Sequence, residues 1–196
     1  EEENLNSVIE ELLENNDTQS PYEIIFVDDS SDDNTFLNIK AINLQNNNVK
    51  ILRLARRSGS HIATKAGIDA SSGDKLLVIS GDGQEDPVLI KDMISNIADG
   101  FDIVWGVRDV REENLFSRLV TKIFYKGLVR FTKNTTNYSV DISNADFYML
   151  GNKVINELKK TSLKNSSLFG LLAWVGFKQI SLPYKRRKRL NGNSKW

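Results

Sequence analysis

At 196 residues and a formal net charge of zero, the chain has room for one domain and no bulk electrostatic reason to bind nucleic acid. It contains no cysteine, which excludes a disulfide framework, a thiolate metal site and a cysteine nucleophile. Its 40% hydrophobic and 27% charged residues are ordinary for a globular protein, and no run of about 18 apolar residues is present to span a bilayer.

Leu5, Val8, Ile9, Leu12 and Leu13 recur at helical spacing, which predicts an amphipathic helix over residues 3–15. Residues 23–27 form a buried-strand run cut off by Asp28-Asp29-Ser30-Ser31-Asp32-Asp33. Residues 31–33 are suited to capping a helix over 35–44. A strand over 49–54, a polar loop at 56–60 and a helix over 61–70 follow. The apolar run Leu76-Leu77-Val78-Ile79 then ends abruptly in Ser80-Gly81-Asp82-Gly83-Gln84-Glu85-Asp86-Pro87. A helix over 88–98 and a strand over 102–107, ending at Arg108, complete an alternation that predicts a parallel sheet with crossover helices.

The second half reads differently. Residues 114–133 predict one helix with an aromatic apolar side and with Arg118, Lys122, Lys126 and Arg130 at intervals of four. A short strand over 147–150 carries Asp146 at its start. Helices over 153–160 and 168–175, a strand over 177–183 and a basic tail from Tyr184 end the chain.

Strand-ending acids in an α/β sheet either cap the next helix or hold a cation and its phosphate ligand. Asp28, Asp29 and Asp82 end two strands, and no G-x-G-x-x-G or Walker loop competes for phosphate. That combination favours a nucleotide-diphosphate site. His61, the single histidine, reads as a surface or capping residue. Asp146 suits a cap or a general base. The basic helix suits a solvated face or a membrane surface. The tail suits a disordered end, a nucleic-acid patch or a phosphate clamp.

Taken in order, these segments resemble the family-2 glycosyltransferases of GT-A fold, and more narrowly the polyprenyl-phosphate glycosyltransferases. Val27-Asp28-Asp29-Ser30-Ser31-Asp32-Asp33-Asn34-Thr35 is similar to V-D-D-G-S-x-D-x-T. Arg56-Arg57-Ser58-Gly59 is similar to R-N-x-G, and residues 80–87 to D-x-D-L-Q-x-D-P. Gly106-Val107-Arg108, Phe116-Ser117-Arg118, Asn144-Ala145-Asp146-Phe147 and Trp174-Val175-Gly176-Phe177 match G-x-R, F-x-R, T-G-D-F and W-x-G-F. Residues 184–196 match Y-x-R-x-x-R-x-x-G-x-S-K-[WY]. Four positions depart from the pattern: Ser80 stands where an acid is usual, Arg57 for Asn, Ala145 for Gly, and Tyr148 where Arg is common.

The resemblance implies a single GT-A domain over residues 1–196, a three-layer α/β/α sandwich with a mostly parallel central sheet. It also implies that a first strand and further membrane-associated helices belong to a longer chain. The expected activity is inverting transfer from a nucleotide-diphosphate sugar to a polyprenyl phosphate, on the cytoplasmic face of a membrane and without nucleic acid. The alternative is a non-catalytic module that binds nucleotide or anionic lipid. Asp28, Asp29, Arg56 and Gly59 would hold the donor, with Arg186, Arg189, Ser194, Lys195 and Trp196 closing over its pyrophosphate. Asp82 would bind Mg²⁺ or Mn²⁺. Asp146 would be the base or the group orienting the acceptor, Arg108 and Arg118 would face the acceptor phosphate, and the 114–133 helix would meet the membrane surface. Homo-oligomerisation is left open by the resemblance.

Overall fold

The computed structural model describes residues 5–15, 20–109, 145–161, 168, 171–172 and 176–187. Helix α1 (Leu5–Asn15) precedes an alternation of β1 (Ile24–Asp28), α2 (Thr35–Gln45), β2 (Val49–Arg53), α3 (Ser60–Ala70), β3 (Lys75–Val78), α4 (Leu89–Ala98) and β4 (Ile103–Arg108). Strand β5 (Ala145–Gly151), helix α5 (Asn152–Lys160) and strand β6 (Gln179–Tyr184) follow. Each of these elements lies within two residues of the limits expected from the sequence. Of the expected helix over 168–175, Leu168, Leu171 and Leu172 are described and are helical. The expected helix over 114–133, with Arg118, and the tail residues Arg189, Ser194, Lys195 and Trp196 lie outside the described residues.

The sheet differs from expectation in two ways. Its strands form a parallel pair, β1–β2, and a separate four-stranded sheet in the order β3-β5-β4-β6. In the larger sheet β4 and β6 are parallel, but β5 lies between β3 and β4 and runs against both. The register gives the reason. Ala145, the first residue of β5, pairs with Val107 near the end of β4, so the chain re-enters the sheet at the carboxyl edge it had just left.

Alternation along β4 and β5 divides the core into two layers, as expected of a sheet covered on both faces. Ile103, Trp105, Tyr148 and Leu150 face a cluster with Ile68 of α3 and Val154, Ile155 and Leu158 of α5. Val104, Phe147 and Met149 face the other side, against Ile90 and Met93 of α4 and the partly buried Leu12 of α1. Helix–sheet–helix layering follows from that two-sided burial. Inside the core the Trp105 indole donates to Gln179 Oε1 (2.8 Å), and the Gln179 amide donates to the Leu172 carbonyl (3.1 Å).

Glu23 joins the two sheets at the edge opposite the strand-ending acids. Placed just before β1, it accepts hydrogen bonds from the Ser72 amide (2.5 Å) and hydroxyl (2.8 Å), the Gly73 amide (3.2 Å) and Lys50 Nζ (2.6 Å). Ser72 and Gly73 belong to the turn that leads into β3.

Candidate functional site

Strands β3, β4 and β6 run the same way, so the segments after Val78, Arg108 and Tyr184 leave one carboxyl edge. Ligands of α/β sheets bind at such an edge because the loops there are free to vary while the strands hold them fixed. The segments that follow β1 and β2 meet in the same manner at the end of their own pair.

In that pair, Asp28 ends β1 with its side chain fully buried. Its Oδ1 accepts the Ser31 amide at 3.0 Å. Arg53 at the end of β2 places Nε 3.2 Å from Oδ2. The same guanidinium donates to the Ser31 carbonyl (3.1 Å) and lies over the Phe36 ring, 4.6 Å from its centroid. A buried carboxylate needs such a cation. Asp29 is used differently. Its two oxygens accept the Ser58 and Gly59 amides, both at 2.8 Å. It thereby fixes the 56–59 loop, where Gly59 at φ +89° opens α3 in a conformation that side chains avoid. Arg56 is exposed, with its carbonyl accepting from the Ser58 hydroxyl. Arg57 pairs with Asp32 at the surface (2.5 Å). His61 is exposed in the first turn of α3, in keeping with the surface reading.

The loop after β3 is built around Ser80. Its Oγ lies 2.6 Å from Asp82 Oδ1 and 2.7 and 2.8 Å from the two Glu85 oxygens. Both acids are buried, Asp82 at 6% and Glu85 at 3% exposure. A hydroxyl has one proton and cannot donate to three carboxylate oxygens together. Two buried carboxylates gathered on one hydroxyl form the donor set that a hard divalent cation takes, and in that respect the residues fit Mg²⁺ or Mn²⁺. Among the described residues no group of three or more His, Cys, Asp or Glu could hold a metal.

The basic tail reaches this same loop. Arg186 Nη2 donates to Gln84 Oε1 (2.6 Å), and the Arg187 amide donates to the Gln84 carbonyl (2.9 Å). Arg187 also bridges Glu11 of α1 (2.7 Å) and Asp86 (2.8 Å). Sequence reasoning missed Glu85, Gln84 and Arg187. Their signal was proximity to a motif already noticed, but the sequence does not say which neighbour folds inward.

Arg108 is half-buried at the end of β4. Asp146 occupies a register break: Gly106 pairs with Phe147 and Val107 with Ala145, leaving Asp146 as the extra residue of a β-bulge. Its backbone is thereby placed at the carboxyl edge, one pairing step from Arg108. Gly106 is required there, since a Cβ would overlap the Phe147 ring.

The family model for glycosyl transferase family 2 matches residues 1–158. The chain belongs to that family. It is 35% identical over 180 residues to the uncharacterized glycosyltransferase YkcC of Bacillus subtilis, covering 91% of this chain and 54% of that protein. It is 29% identical over 179 residues to the bactoprenol glucosyl transferase of Shigella phage SfV, covering 90% of this chain and 57% of the relative. The chain thus spans little more than half the length of these relatives. Among solved structures, the mannosyltransferase PcManGT of Pyrobaculum calidifontis, in complex with GDP-Man and Mn²⁺, superposes with a TM-score of 0.63 at 15% identity, covering 93% of this chain and 52% of that one. This likeness establishes the GT-A fold of the family-2 domain. No helix among the described residues is long and apolar enough to cross a membrane.

Proposed function

We propose that the family-2 domain transfers a sugar from a nucleotide diphosphate to a polyprenyl phosphate. The observation that carries this reading is the buried Asp82–Ser80–Glu85 cluster with Arg186 resting on its Gln84 neighbour. Negative and positive groups there stand side by side at the carboxyl edge, the arrangement that binding a diphosphate requires. Asp82 and Glu85 would hold a divalent cation, whose chemistry is to neutralise charge on the leaving nucleoside diphosphate. Asp28 and the Asp29-ordered loop would seat the nucleoside, with Arg56 at the rim. Arg186, and beyond it Arg189, Ser194, Lys195 and Trp196, would cover the pyrophosphate.

Arg108 and Asp146 stand at neighbouring positions of β4 and β5. They would take the acceptor phosphate and orient it, together with Arg118. A phosphate monoester has a second pKa of about 6 and is largely ionised at neutral pH, so Asp146 has little deprotonation to do and acts by placement. The bactoprenol relative supports a polyprenyl-phosphate acceptor. That acceptor would place the work at a membrane surface, with the 114–133 segment as the contact.

The non-catalytic alternative drew on Ser80 standing where an acid is usual. Glu85 weakens it, because it brings a second buried carboxylate to the same hydroxyl. The test uses the full-length protein, GDP- and UDP-sugars, polyprenyl phosphate and Mg²⁺ or Mn²⁺. Asp82→Asn and Glu85→Gln are expected to lower transfer by more than about tenfold each, the scale of a lost charge-assisted contact of about 1.5–3 kcal/mol. Metal-dependent nucleotide binding with no transfer in the wild-type protein would favour the non-catalytic module. Transfer unchanged by both substitutions would refute the metal assignment.

A further inference from the structure

We propose that Arg187 is the positioning residue that presents Arg186 to the acidic loop. The inference rests on the donor-binding reading of that loop, but the geometry behind it is independent of any ligand. Arg186 and Arg187 are adjacent and chemically identical, yet they are used differently. Arg186 is exposed and its guanidinium donates to Gln84 Oε1. Arg187 is tied at three points on two separate segments. Its Nη1 meets Glu11 Oε2 on α1 at 2.7 Å, and its Nη2 meets Asp86 Oδ1 at 2.8 Å. Its amide donates to the Gln84 carbonyl at 2.9 Å.

The two carboxylates belong to different elements, so the planar fork of arginine is what allows one side chain to reach both. Glu11 sits one residue before Leu12, which packs against the α4 side of the core. Asp86 lies between Glu85 and Pro87, both buried. Arg187 therefore links the core-anchored helix, the acidic loop and the tail in one joint. Beyond β6 the chain leaves its strand ladder, and this joint supplies the order that the ladder no longer gives. All three ionic groups are about one-third exposed, Arg187 at 37%, Glu11 at 32% and Asp86 at 30%. Such ion pairs add little to global stability but can fix a local backbone.

Arg187 thus acts on donor affinity through Arg186 and not on the transfer itself. The experiment uses the full-length protein with a nucleotide-sugar. Arg187→Gln is expected to raise the donor KM about tenfold, the loss of about 1.4 kcal/mol, with kcat within about twofold. Arg187→Lys should fall between, since an ammonium reaches one carboxylate and not both. Asp86→Asn should reproduce part of the effect and add little to Arg187→Gln. Hydrogen exchange at the Arg187 amide provides a second readout that needs no turnover, and Arg187→Gln should speed it. Should Arg187→Gln fold poorly, Glu11→Gln removes one arm alone and is expected to raise KM and amide exchange in the same direction.

An unchanged KM in a wild-type-active protein would overturn the proposal, as would a fall in kcat at unchanged KM. Amide exchange unaltered by Arg187→Gln would overturn it as well. A wild-type protein that binds no nucleotide-sugar would instead count against the donor reading, and the exchange measurement would still decide the joint.

Discussion

Glu23→Gln should weaken the fold in a way that depends on pH. Burial opposes ionisation of Glu23, but the hydrogen bond from Lys50 and those from the Ser72 amide and hydroxyl overcome it, holding its pKa at about 2 against an ordinary 4.5. At about 1.36 kcal/mol per pH unit the full difference would be worth about 3 kcal/mol. Lys50 is half exposed, so solvent screening removes a large share and about 1–2 kcal/mol is the expected effect. Because the folded pKa is depressed, this stability is fully present above about pH 4.5 and is lost as pH falls toward 2. Urea denaturation of wild type and Glu23→Gln at a series of pH values measures it. The gap between the two curves should be widest at about pH 7 and should narrow progressively below about pH 4.5. A gap that stays constant down to about pH 3 would refute the ionic account and leave only the geometry of the Ser72–Gly73 contact. Glu23 lies away from the acidic loops, so nucleotide affinity at neutral pH should change little while the fold persists.

Three further substitutions probe the frame of the site. Gly106→Ala forces a methyl into the Phe147 ring and should cost about 1–3 kcal/mol in thermal or chemical denaturation; a neutral effect would mean the bulge at Asp146 yields easily. Ser30 sits at φ +59°, the left-handed region in which glycine is at ease, so Ser30→Gly should stabilise by up to about 1 kcal/mol, strain relief exceeding the added chain entropy. Trp105→Phe leaves Gln179 Oε1 without its indole donor in the core, and should lower stability by about 1–3 kcal/mol in chemical denaturation; an unchanged midpoint would show that this hydrogen bond contributes nothing.

The order of elements was legible because the apolar runs of β1, β3 and β4 are short, continuous and bounded by acids or glycine. The acids at positions 28, 29 and 82 were legible for the same reason, since each interrupts a strand run. The direction of β5 was not. Phe147-Tyr148-Met149-Leu150 carries the same alternation whichever way it runs, and only its pairing with Val107 and Lys75 at opposite ends fixes it. The division of the strands into two sheets was equally hidden, because hydrogen-bond partners are not encoded in periodicity. Glu85 and Arg187 stood beside residues already singled out. Their roles depend on which side chain the loop turns inward and which carboxylate lies within reach, and both are properties of the closed fold.

Ser80 changes meaning once the loop is closed. In the chain it reads as the loss of one of two acids, which points to a weakened site. In the fold its hydroxyl sits between Asp82 and Glu85, so the count of buried carboxylates is two again, with one drawn from further along the loop. The first acidic loop is held differently: Asp28 is balanced by Arg53 and Asp29 by two backbone amides. At Ser80 the acids are brought toward each other. Asp82 Oδ1 also accepts the Gln84 amide (3.2 Å), and a cation between the two carboxylates would offset their mutual repulsion. The Arg186–Arg187 segment is fastened to the same loop at the carboxyl edge, and on the proposed reading that edge would receive a cation and a diphosphate together.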